Sequence, residues 1–201
     1  MSIYLTFNSV SFSYDNASVC LLEQLTLDFP IGWTGVVGAN GSGKSTLLQL
    51  ASEALYPLAG TIRCSGEVLY CPQRTDSPPG DLKALLEADE PEAYTVGSFL
   101  ELEPDWLQRW SSLSHGERKR AQIAVALWKQ PHVLAVDEPT NHIDAEAREL
   151  LSEALAQFGG IGLLVSHDRI LLDNLTRQTL FLEPPNAILR SGNYSQAQAE
   201  W

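Results

Sequence analysis

The sequence predicts an α/β protein in which a parallel β-sheet is covered by helices, with a smaller antiparallel layer beside it. Three observations lead to this fold class. From Ser114 onward, segments with helical periodicity alternate with short apolar segments of strand length. A glycine-rich turn at residues 38–43 joins an apolar strand to a helix. Near the N-terminus, β-branched and aromatic residues are mixed with polar ones, which is typical of antiparallel strands.

The antiparallel layer is predicted from the start of the chain and from one glycine-bounded segment further on. Residues 3–12 and 24–30 mix β-branched and aromatic side chains with polar ones and are predicted to be strands. Residues 60–73, GTIRCSGEVLYCPQ, are punctuated by glycines and are predicted to form a hairpin. We therefore assign residues 1–31 and 60–72 to an antiparallel β subdomain.

The core of the fold is predicted in two pieces, residues 32–59 and 131–201. In the first piece, GWTGVVG (32–38) is a short apolar strand and KSTLLQLASEAL (44–55) is predicted to be a helix. The second piece alternates strands with helices, as expected for a parallel sheet. Its predicted elements are strand 132–136, helix 145–157, strand 161–166 and helix 168–175.

The residues between these two pieces, 74–130, are predicted to form a short helical subdomain. A helix is predicted from Gly116 to Lys129, directly before the second core piece. Before residue 105 only short helices fit, because proline breaks a helix interior. The prolines concerned are Pro78, Pro79, Pro91 and Pro104.

The composition is that of one globular domain with an acidic surface. The chain has 201 residues, of which 44% are hydrophobic and 19% charged. Its net charge of −12 argues against a free-standing nucleic-acid-binding protein, because contact with phosphates needs a positive surface. Nine carboxylates lie between Arg74 and Asp105, against only Arg74 and Lys83. They form either a solvated face, which we favour, or an acidic docking patch.

Cysteine usage and hydropathy predict a cytoplasmic protein that does not insert into a membrane. The three cysteines, Cys20, Cys64 and Cys71, are an odd number without metal-ligand spacing, so we expect reduced thiols. No apolar run approaches the roughly 20 residues of a membrane-spanning helix. The N-terminal residues lack the basic start and continuous apolar core of a signal peptide.

Residues 38–46, GANGSGKST, match the phosphate-loop pattern G-x-x-x-x-G-K-[ST] between a predicted strand and a predicted helix. Its glycines permit a tight wrap whose N–H groups point at phosphates, and the helix adds its dipole. Lys44 is expected to reach the β- and γ-phosphates, and Ser45 to offer its hydroxyl to Mg²⁺. A glycine-rich turn without a ligand is the alternative, and the flanking elements disfavour it. The expected nucleotide-binding residues are Gly38, Asn40, Gly41, Ser42, Gly43, Lys44, Ser45 and Thr46.

Two adjacent carboxylates, Asp137 and Glu138, end the apolar segment HVLAVDE. A carboxylate at the end of a buried strand needs a cation, and Mg²⁺ held by Ser45 is the obvious candidate. We expect Asp137 to hold that ion through water and Glu138 to polarise the attacking water. The alternative is a strand end that emerges into solvent, which the nearby phosphate loop makes the weaker interpretation.

These motifs resemble, in the same order, those of the ATP-binding cassette (ABC) superfamily, across nearly the whole chain. Residues 38–46 resemble its Walker A motif, residues 133–138 its Walker B motif and residues 113–117 its signature motif. The resemblance implies a single ATPase domain with a RecA-like P-loop NTPase core, an antiparallel β subdomain and a short helical subdomain. It also implies ATP and Mg²⁺ as ligands.

Three further residues take roles from this resemblance. Gln73 in YCPQ resembles the Q-loop glutamine, which completes the expected Mg²⁺ ligands with Ser45 and Asp137. His167 in LLVSHDR resembles the switch histidine, and Tyr14 resembles the aromatic residue that stacks on adenine. Plainer alternatives are a turn amide for Gln73 and a half-buried strand aromatic for Tyr14.

Ser114 and Glu117 form the pattern S-x-x-E, a capping box that starts a helix. By itself this pattern indicates only a helix start. The resemblance implies that Ser114 and Gly116 face the γ-phosphate of ATP bound to a second cassette, and a capped helix N-terminus is a ready anion site. His115 stands where the family usually has glycine, so it either faces away from phosphate or weakens closure.

The segments DEPTNHID, SHDRILLD and SGNYS are similar to the F subfamily of cassettes. Its members are soluble proteins with two cassettes joined by a helical linker, and many act on ribosomes. Only forty positions separate Gln73 from Leu113, which leaves little surface for a membrane partner. The sequence ends just after residues 192–194, where the linker helix would begin, so we expect an N-terminal cassette of a longer protein. A genuine half-size protein is the alternative.

Three functions follow as hypotheses. The leading one is an ATP-hydrolysing cassette that closes on a second cassette in a ribosome-associated translation factor. The second is the ATP-binding subunit of a membrane ABC transporter. The third is an ATP-gated interaction switch without hydrolysis, if His115 impairs closure. Copurification with ribosomes or with membrane-embedded subunits separates the first two, and ATP turnover separates the third.

Overall fold

The computed structural model describes residues 3–15 and 20–199. The strands are β1 (Leu5–Phe12), β2 (Leu22–Phe29), β3 (Gly32–Gly38), β4 (Ala59–Cys64), β5 (Val68–Cys71), β6 (Val133–Asp137), β7 (Ile161–Val165), β8 (Thr176–Glu183) and β9 (Asn186–Ser191). The α-helices are α1 (Lys44–Ala51), α2 (Leu82–Glu87), α3 (Pro91–Phe99), α4 (His115–Trp128), α5 (Ala145–Ala156), α6 (Arg169–Leu175) and α7 (Tyr194–Ala199). A short 3₁₀ turn at Trp110–Ser112 precedes α4.

The larger sheet has the strand order β5-β6-β7-β3-β8-β9. Its first five strands are parallel, and β9 pairs antiparallel with β8. Successive parallel strands need crossover connections: α5 connects the neighbours β6 and β7, and α6 connects β7 to β8, which lies on the far side of β3. The smaller sheet, β2-β1-β4, is antiparallel throughout. The predicted α/β class, with a parallel sheet and an antiparallel layer, is confirmed.

The central strands are mostly apolar because both faces of the larger sheet are covered. All residues of β6 and β7 are buried. Val133 and Ala135 pack with α1 and the antiparallel sheet, whereas Leu134 and Val136 pack with α4 and α5 on the opposite face. The sheet therefore divides the hydrophobic core into two clusters.

The predicted hairpin at residues 60–73 is wrong. β4 pairs antiparallel with β1, whereas β5 joins the larger sheet and pairs parallel with β6. The backbone N–H groups of His132 and Val133 both donate to the Glu67 carbonyl, at 3.0 and 3.1 Å, which begins β5 beside β6. At the turn, a Cβ on Gly66 would lie only 2.5 Å from His132 Nδ1. The chain thus crosses between sheets there, and part of the segment assigned to the antiparallel subdomain lies in the core sheet.

Three elements near the end of the described chain are absent from the sequence prediction. They are β8, β9 and α7. β8 follows α6 without a single intervening residue, since α6 ends at Leu175 and β8 begins at Thr176. No glycine or proline marks this boundary, so the punctuation on which sequence interpretation depends is missing.

Eight of the nine carboxylates between Arg74 and Asp105 contact another side chain of the described residues. Arg109 pairs with Glu103 and Asp105. Other carboxylates of the segment contact side chains of α4, the helix that follows it. The segment's carboxylate contacts that do not involve Arg109 are Asp76–Arg74, Asp81–Lys129, Glu87–Lys83, Asp89–Tyr94, Glu90–Trp128 and Glu101–Arg120. Exposed ion pairs of this kind contribute about 0–1 kcal/mol each. The pairing favours a solvated face over an acidic docking patch.

Candidate functional site

Three parallel strands end at the same edge of the larger sheet and bring the predicted motifs together. β3 ends at Gly38, where the phosphate loop begins, β6 ends at Asp137 and β7 at Val165. β7 lies between β3 and β6. In open α/β folds, ligands bind outside the carboxyl ends of the strands. The phosphate loop, the paired carboxylates and His167 therefore lie at one edge.

The phosphate loop is tightly packed at its first glycine, Gly38. A Cβ on Gly38 would lie 2.6 Å from both Leu182 O and Ser42 Oγ, so no larger residue fits without a shift. Gly43 has φ +95°, a left-handed conformation that glycine adopts freely, and it immediately precedes α1. Among the described residues, no side chain caps the first turn of α1. The N–H groups of this helix end are thus available to an anion.

Two polar side chains of the loop, those of Lys44 and Ser42, are placed to meet an anion. Lys44 Nζ donates to the Gly38 and Ala39 carbonyls of its own loop, at 3.0 Å each. Ser42 Oγ is buried and makes no hydrogen bond. A cavity of about 480 Å³ adjoins both residues and extends to His167. The cation, the hydroxyl and the uncapped helix end fit the phosphates of a nucleotide.

Tyr14 lies beside α1, the helix that follows the phosphate loop. Its side chain is 47% exposed, and its hydroxyl lies 3.0 Å from Thr46 Oγ1. The ring packs edge-on against Phe12, with centroids 5.1 Å apart. Tyr14 lies two residues beyond the end of β1, so it is not a strand residue, and about half of it is open to solvent.

Asp137 is held in place from the neighbouring strand. It is 3% exposed, and Tyr70 OH donates to its Oδ2 at 3.2 Å. Burial and then the Asp137 charge raise the pKa of Tyr70, which keeps the phenol a donor. Ser45 is exposed on the first turn of α1, which packs against β6, and Gln73 is exposed just beyond β5. The oxygen donors at these three positions suit a hard cation such as Mg²⁺.

Glu138 contacts His167 through both the backbone and the side chain. The His167 N–H donates to Glu138 Oε2 at 3.2 Å, and His167 Nε2 lies 3.3 Å from Oε1. Glu138 Oε1 is buried and accepts no well-aligned hydrogen bond from the described residues. Its contact with His167 Nε2 is therefore a close approach and not a hydrogen bond. The Glu138 backbone has φ +48° and donates its N–H to Val165 O at 2.8 Å. Burial raises the pKa of Glu138, while His167 acts in the opposite direction.

The predicted capping box at the start of α4 is confirmed. Glu117 N donates to Ser114 Oγ at 3.2 Å, and Ser114 N donates to Glu117 Oε2 at 2.6 Å. The backbone hydrogen bond from Ser114 lowers the pKa of Glu117. A Cβ on Gly116 would lie 3.3 Å from Ala147 Cβ, so this glycine brings α4 close to α5.

The start of α4 does not join the phosphate-loop cavity. Of the described residues, those lining that cavity come from the phosphate loop, the end of β7, α6, β8 and α7, and they include neither Ser114 nor Gly116. Ser114 is exposed. His115 is exposed beside it, with its ring centroid 6.4 Å from that of His142, and burial followed by the Lys119 charge lowers its pKa. The predicted site is therefore divided between two surfaces of the chain.

Sequence interpretation missed two residues that support the site. Tyr70 holds Asp137, and Lys119 on α4 is completely buried, with its pKa lowered to about 8 chiefly by burial. The available signal for Lys119 was its spacing with Ile123 and Ala126, buried residues at i+4 and i+7 on the apolar face of α4.

A phosphate-binding loop, a buried carboxylate pair and a histidine at one sheet edge define a P-loop nucleotide hydrolase. Residues 22–141 match the family model described as ABC transporter. The chain belongs to this family and forms its ATP-binding cassette, an ATPase domain.

The relatives of this chain are longer proteins. The probable ATP-binding protein YheS of Haemophilus influenzae is 33% identical over 182 residues, covering 85% of this chain and 28% of that protein. The ribosome protection protein VmlR of Bacillus subtilis is 34% identical over 168 residues, covering 80% and 28%. Protein GCN20 of Saccharomyces cerevisiae is 33% identical over 181 residues, covering 84% and 24%. This chain thus spans only about a quarter of each.

A solved structure has the same fold. It is an ABC transporter of the metal-chelate type in an inward-facing conformation, with a TM-score of 0.74 and 24% sequence identity. The similarity covers 94% of this chain and 84% of that one. Within residues 3–15 and 20–199, no helix is both long and apolar enough to cross a membrane.

Proposed function

We propose that this chain is one of two ATP-hydrolysing cassettes of a cytoplasmic protein that acts on the ribosome. The observation that supports hydrolysis best is the buried Glu138 carboxylate, held by His167 at the sheet edge that also carries the phosphate loop. The similarity to a ribosome protection protein supports the choice of partner.

In this proposal the phosphate loop binds and orients ATP. Lys44 exchanges its two loop carbonyls for the β- and γ-phosphates, which are stronger partners because they are charged. Ser42 and the N–H groups at the start of α1 surround the phosphates. Tyr14 gives up its contact with Thr46 and stacks its exposed ring on the adenine.

Mg²⁺ would be held by Ser45 and Gln73, with Asp137 contributing through water. When bound, the ion neutralises charge on the β- and γ-phosphates. Tyr70 keeps the Asp137 carboxylate turned toward this position. Among these residues, only the Asp137 side chain is buried, so the proposed ion would compensate a charge that has one hydrogen bond in the structure.

Glu138 orients and polarises the attacking water in this proposal. Its pKa is raised by burial, which makes the carboxylate a better proton acceptor than an exposed glutamate. His167 holds Glu138 through its backbone N–H and supports the γ-phosphate with its side chain. The Asp137 and Glu138 carboxylates have different partners, Tyr70 and His167, which suits different roles for these adjacent residues.

A second cassette would complete the site. Ser114 at the start of α4 is exposed and lies outside the phosphate-loop cavity, which supports action on a nucleotide bound elsewhere, whereas Gly116 is buried beside α5. In the proposed sandwich, Ser114 and Gly116 of each cassette approach the γ-phosphate held by the other.

The experiment is cosedimentation of the full-length protein with ribosomes. With ATP present, a Glu138→Gln variant should stay bound because it binds ATP without turning it over. A Lys44→Ala variant is the matched control and should be lost from ribosomes, because it cannot hold the phosphates. Copurification with membrane-embedded subunits instead would support the transporter function and contradict this one.

A further inference from the structure

Lys119 is the fully buried lysine of this cassette, with 0% of its surface exposed. It lies on α4, five residues after Ser114. Its Nζ donates to Pro72 O at 2.7 Å and to Gln122 Oε1 at 3.0 Å. Lysine is rarely buried without an oppositely charged partner, and both of these acceptors are neutral. An apolar side chain of similar length would fill this space without the cost of desolvating a charge.

The Pro72 carbonyl is held from α4 by two donors. Gln122 Nε2 also donates to it, at 3.2 Å. Pro72 links Cys71, the last residue of β5, to Gln73. Because a peptide bond is planar, fixing the Pro72 carbonyl also fixes the direction of the Gln73 N–H. The backbone that presents Gln73 is therefore anchored to α4.

Lys119 also places a positive charge behind the paired carboxylates. Asp137 and Glu138 both attract this charge. Burial is the larger effect and lowers the pKa of Lys119 to about 8, so the amine is mostly charged at neutral pH. In turn, burial raises the pKa of Cys71 to about 12, which keeps its thiol neutral and leaves Lys119 without a thiolate partner.

We propose that Lys119 is a positioning residue for ATP hydrolysis, because it fixes the backbone that presents Gln73 and ties that backbone to the helix carrying Ser114. This inference rests on the proposed roles of Gln73 at the cassette's own Mg²⁺ and of Ser114 at the partner's nucleotide. One buried side chain then links the two surfaces into which the site is divided. Displacement of α4 on closure would be transmitted to the metal ligand through the Pro72 carbonyl.

Binding of ATP with and without Mg²⁺ tests this inference on the chain itself. Calorimetry would give the ATP affinity of Lys119→Met in EDTA and in excess Mg²⁺. We expect the affinity in EDTA to match that of the wild type, because the phosphate loop is unchanged. The gain in affinity that Mg²⁺ brings should fall about tenfold, the usual effect of losing a residue that orients a metal ligand.

The control is Lys129→Met, which removes the lysine just after α4 that donates to Asp81 rather than to Pro72. Lys129→Met should leave the gain in ATP affinity that Mg²⁺ brings unchanged. If Lys119→Met does not fold, Gln122→Leu removes the second donor to the Pro72 carbonyl and should lower the Mg²⁺ gain in the same direction.

Two results would overturn the inference. One is an unchanged Mg²⁺ gain in Lys119→Met, or in Gln122→Leu where that variant replaces it. The other is an equal loss of affinity with and without Mg²⁺, accompanied by a lower melting temperature, which would make Lys119 a residue of the fold alone. A wild-type chain that binds no ATP would instead contradict the proposed function, before any variant is compared.

Discussion

At the scale of single residues, Asp137 and Glu138 are neighbours in sequence with different environments. Asp137 accepts a hydrogen bond from Tyr70, whereas Glu138 faces His167 and has one carboxylate oxygen without an aligned donor. Burial raises the pKa of Glu138. Two carboxylates whose surroundings differ in this way are suited to separate tasks, one at a metal ion and the other at water.

The buried charge of Lys119 predicts a pH dependence of stability. Its pKa is about 8 in the folded chain, against an ordinary value of 10.5. Between these values the unfolded chain binds the proton and the folded chain does not, so stability rises with pH. From pH 7 to pH 9, we expect wild type to gain about 1 kcal/mol relative to Lys119→Met. Urea unfolding at both pH values measures this difference, and a constant difference would contradict it.

Local motifs predicted the residues of the site better than they predicted the residues that hold the site in place. The phosphate loop and the capping box act over a few residues, so their spacing alone indicates their geometry. Tyr70 and Asp137 lie 67 positions apart, and Lys119 lies 47 positions from Pro72. Contacts of this kind depend on which strands and helices become neighbours, which no local pattern specifies. The chemical roles assigned to the site residues stay predictions.

At the scale of elements, the segment at residues 60–73 also shows that local sequence patterns do not specify long-range neighbours. Its composition correctly indicated two strands around a glycine turn. Whether they pair with each other depends on competing partners, and β5 gains a fully buried neighbour in β6. β4, which is mostly exposed, pairs with β1 instead. Strand identity was predictable here, but the sheet to which each strand belongs was not.

The contact between α6 and α7 predicts a local stability effect. Asp173 on α6 accepts hydrogen bonds from the backbone N–H and the hydroxyl of Ser195, at 2.8 and 2.5 Å. Arg169 packs over the Tyr194 ring nearby, with its guanidinium 5.7 Å from the ring centroid. Asp173→Ala should lower the free energy needed to open α7 by about 1–3 kcal/mol, because α7 loses two hydrogen bonds to a charged carboxylate.

Hydrogen exchange measures the consequence of this substitution. Amides of α7 should exchange faster in Asp173→Ala, while those of β6 and β7 should not change. Asp28→Ala, at an exposed position of β2, is the control and should leave α7 protected. Unchanged exchange in α7 of the Asp173→Ala variant would show that α7 is held by other contacts.

At the scale of the whole molecule, charge opposes the pairing of two copies. Each chain carries a net charge of −12, so two copies repel each other most strongly at low ionic strength. We expect the wild-type chain alone to be mostly monomeric with weak ATPase activity. Pairing with a second cassette of different charge in a longer protein would avoid this repulsion.

The Glu138→Gln variant makes this effect measurable. With MgATP it should accumulate as a closed dimer whose population rises as salt increases from about 0.01 M to about 0.15 M, where the Debye length falls to about 8 Å. Light scattering measures the mass, and Lys44→Ala should stay monomeric under all conditions. A Glu138→Gln chain that remains monomeric throughout would point to a different cassette as the partner.

The most direct test of the two-cassette site is ATP turnover by the full-length protein carrying Ser114→Arg. A bulky cation at the exposed N-terminus of α4 blocks the approach of the second cassette without touching the phosphate loop. We predict unchanged ATP affinity and lost turnover, with Ser98→Arg on the exposed surface of α3 retaining activity. Undiminished turnover by Ser114→Arg would show that the site is completed within one cassette, and would contradict the sandwich proposed here.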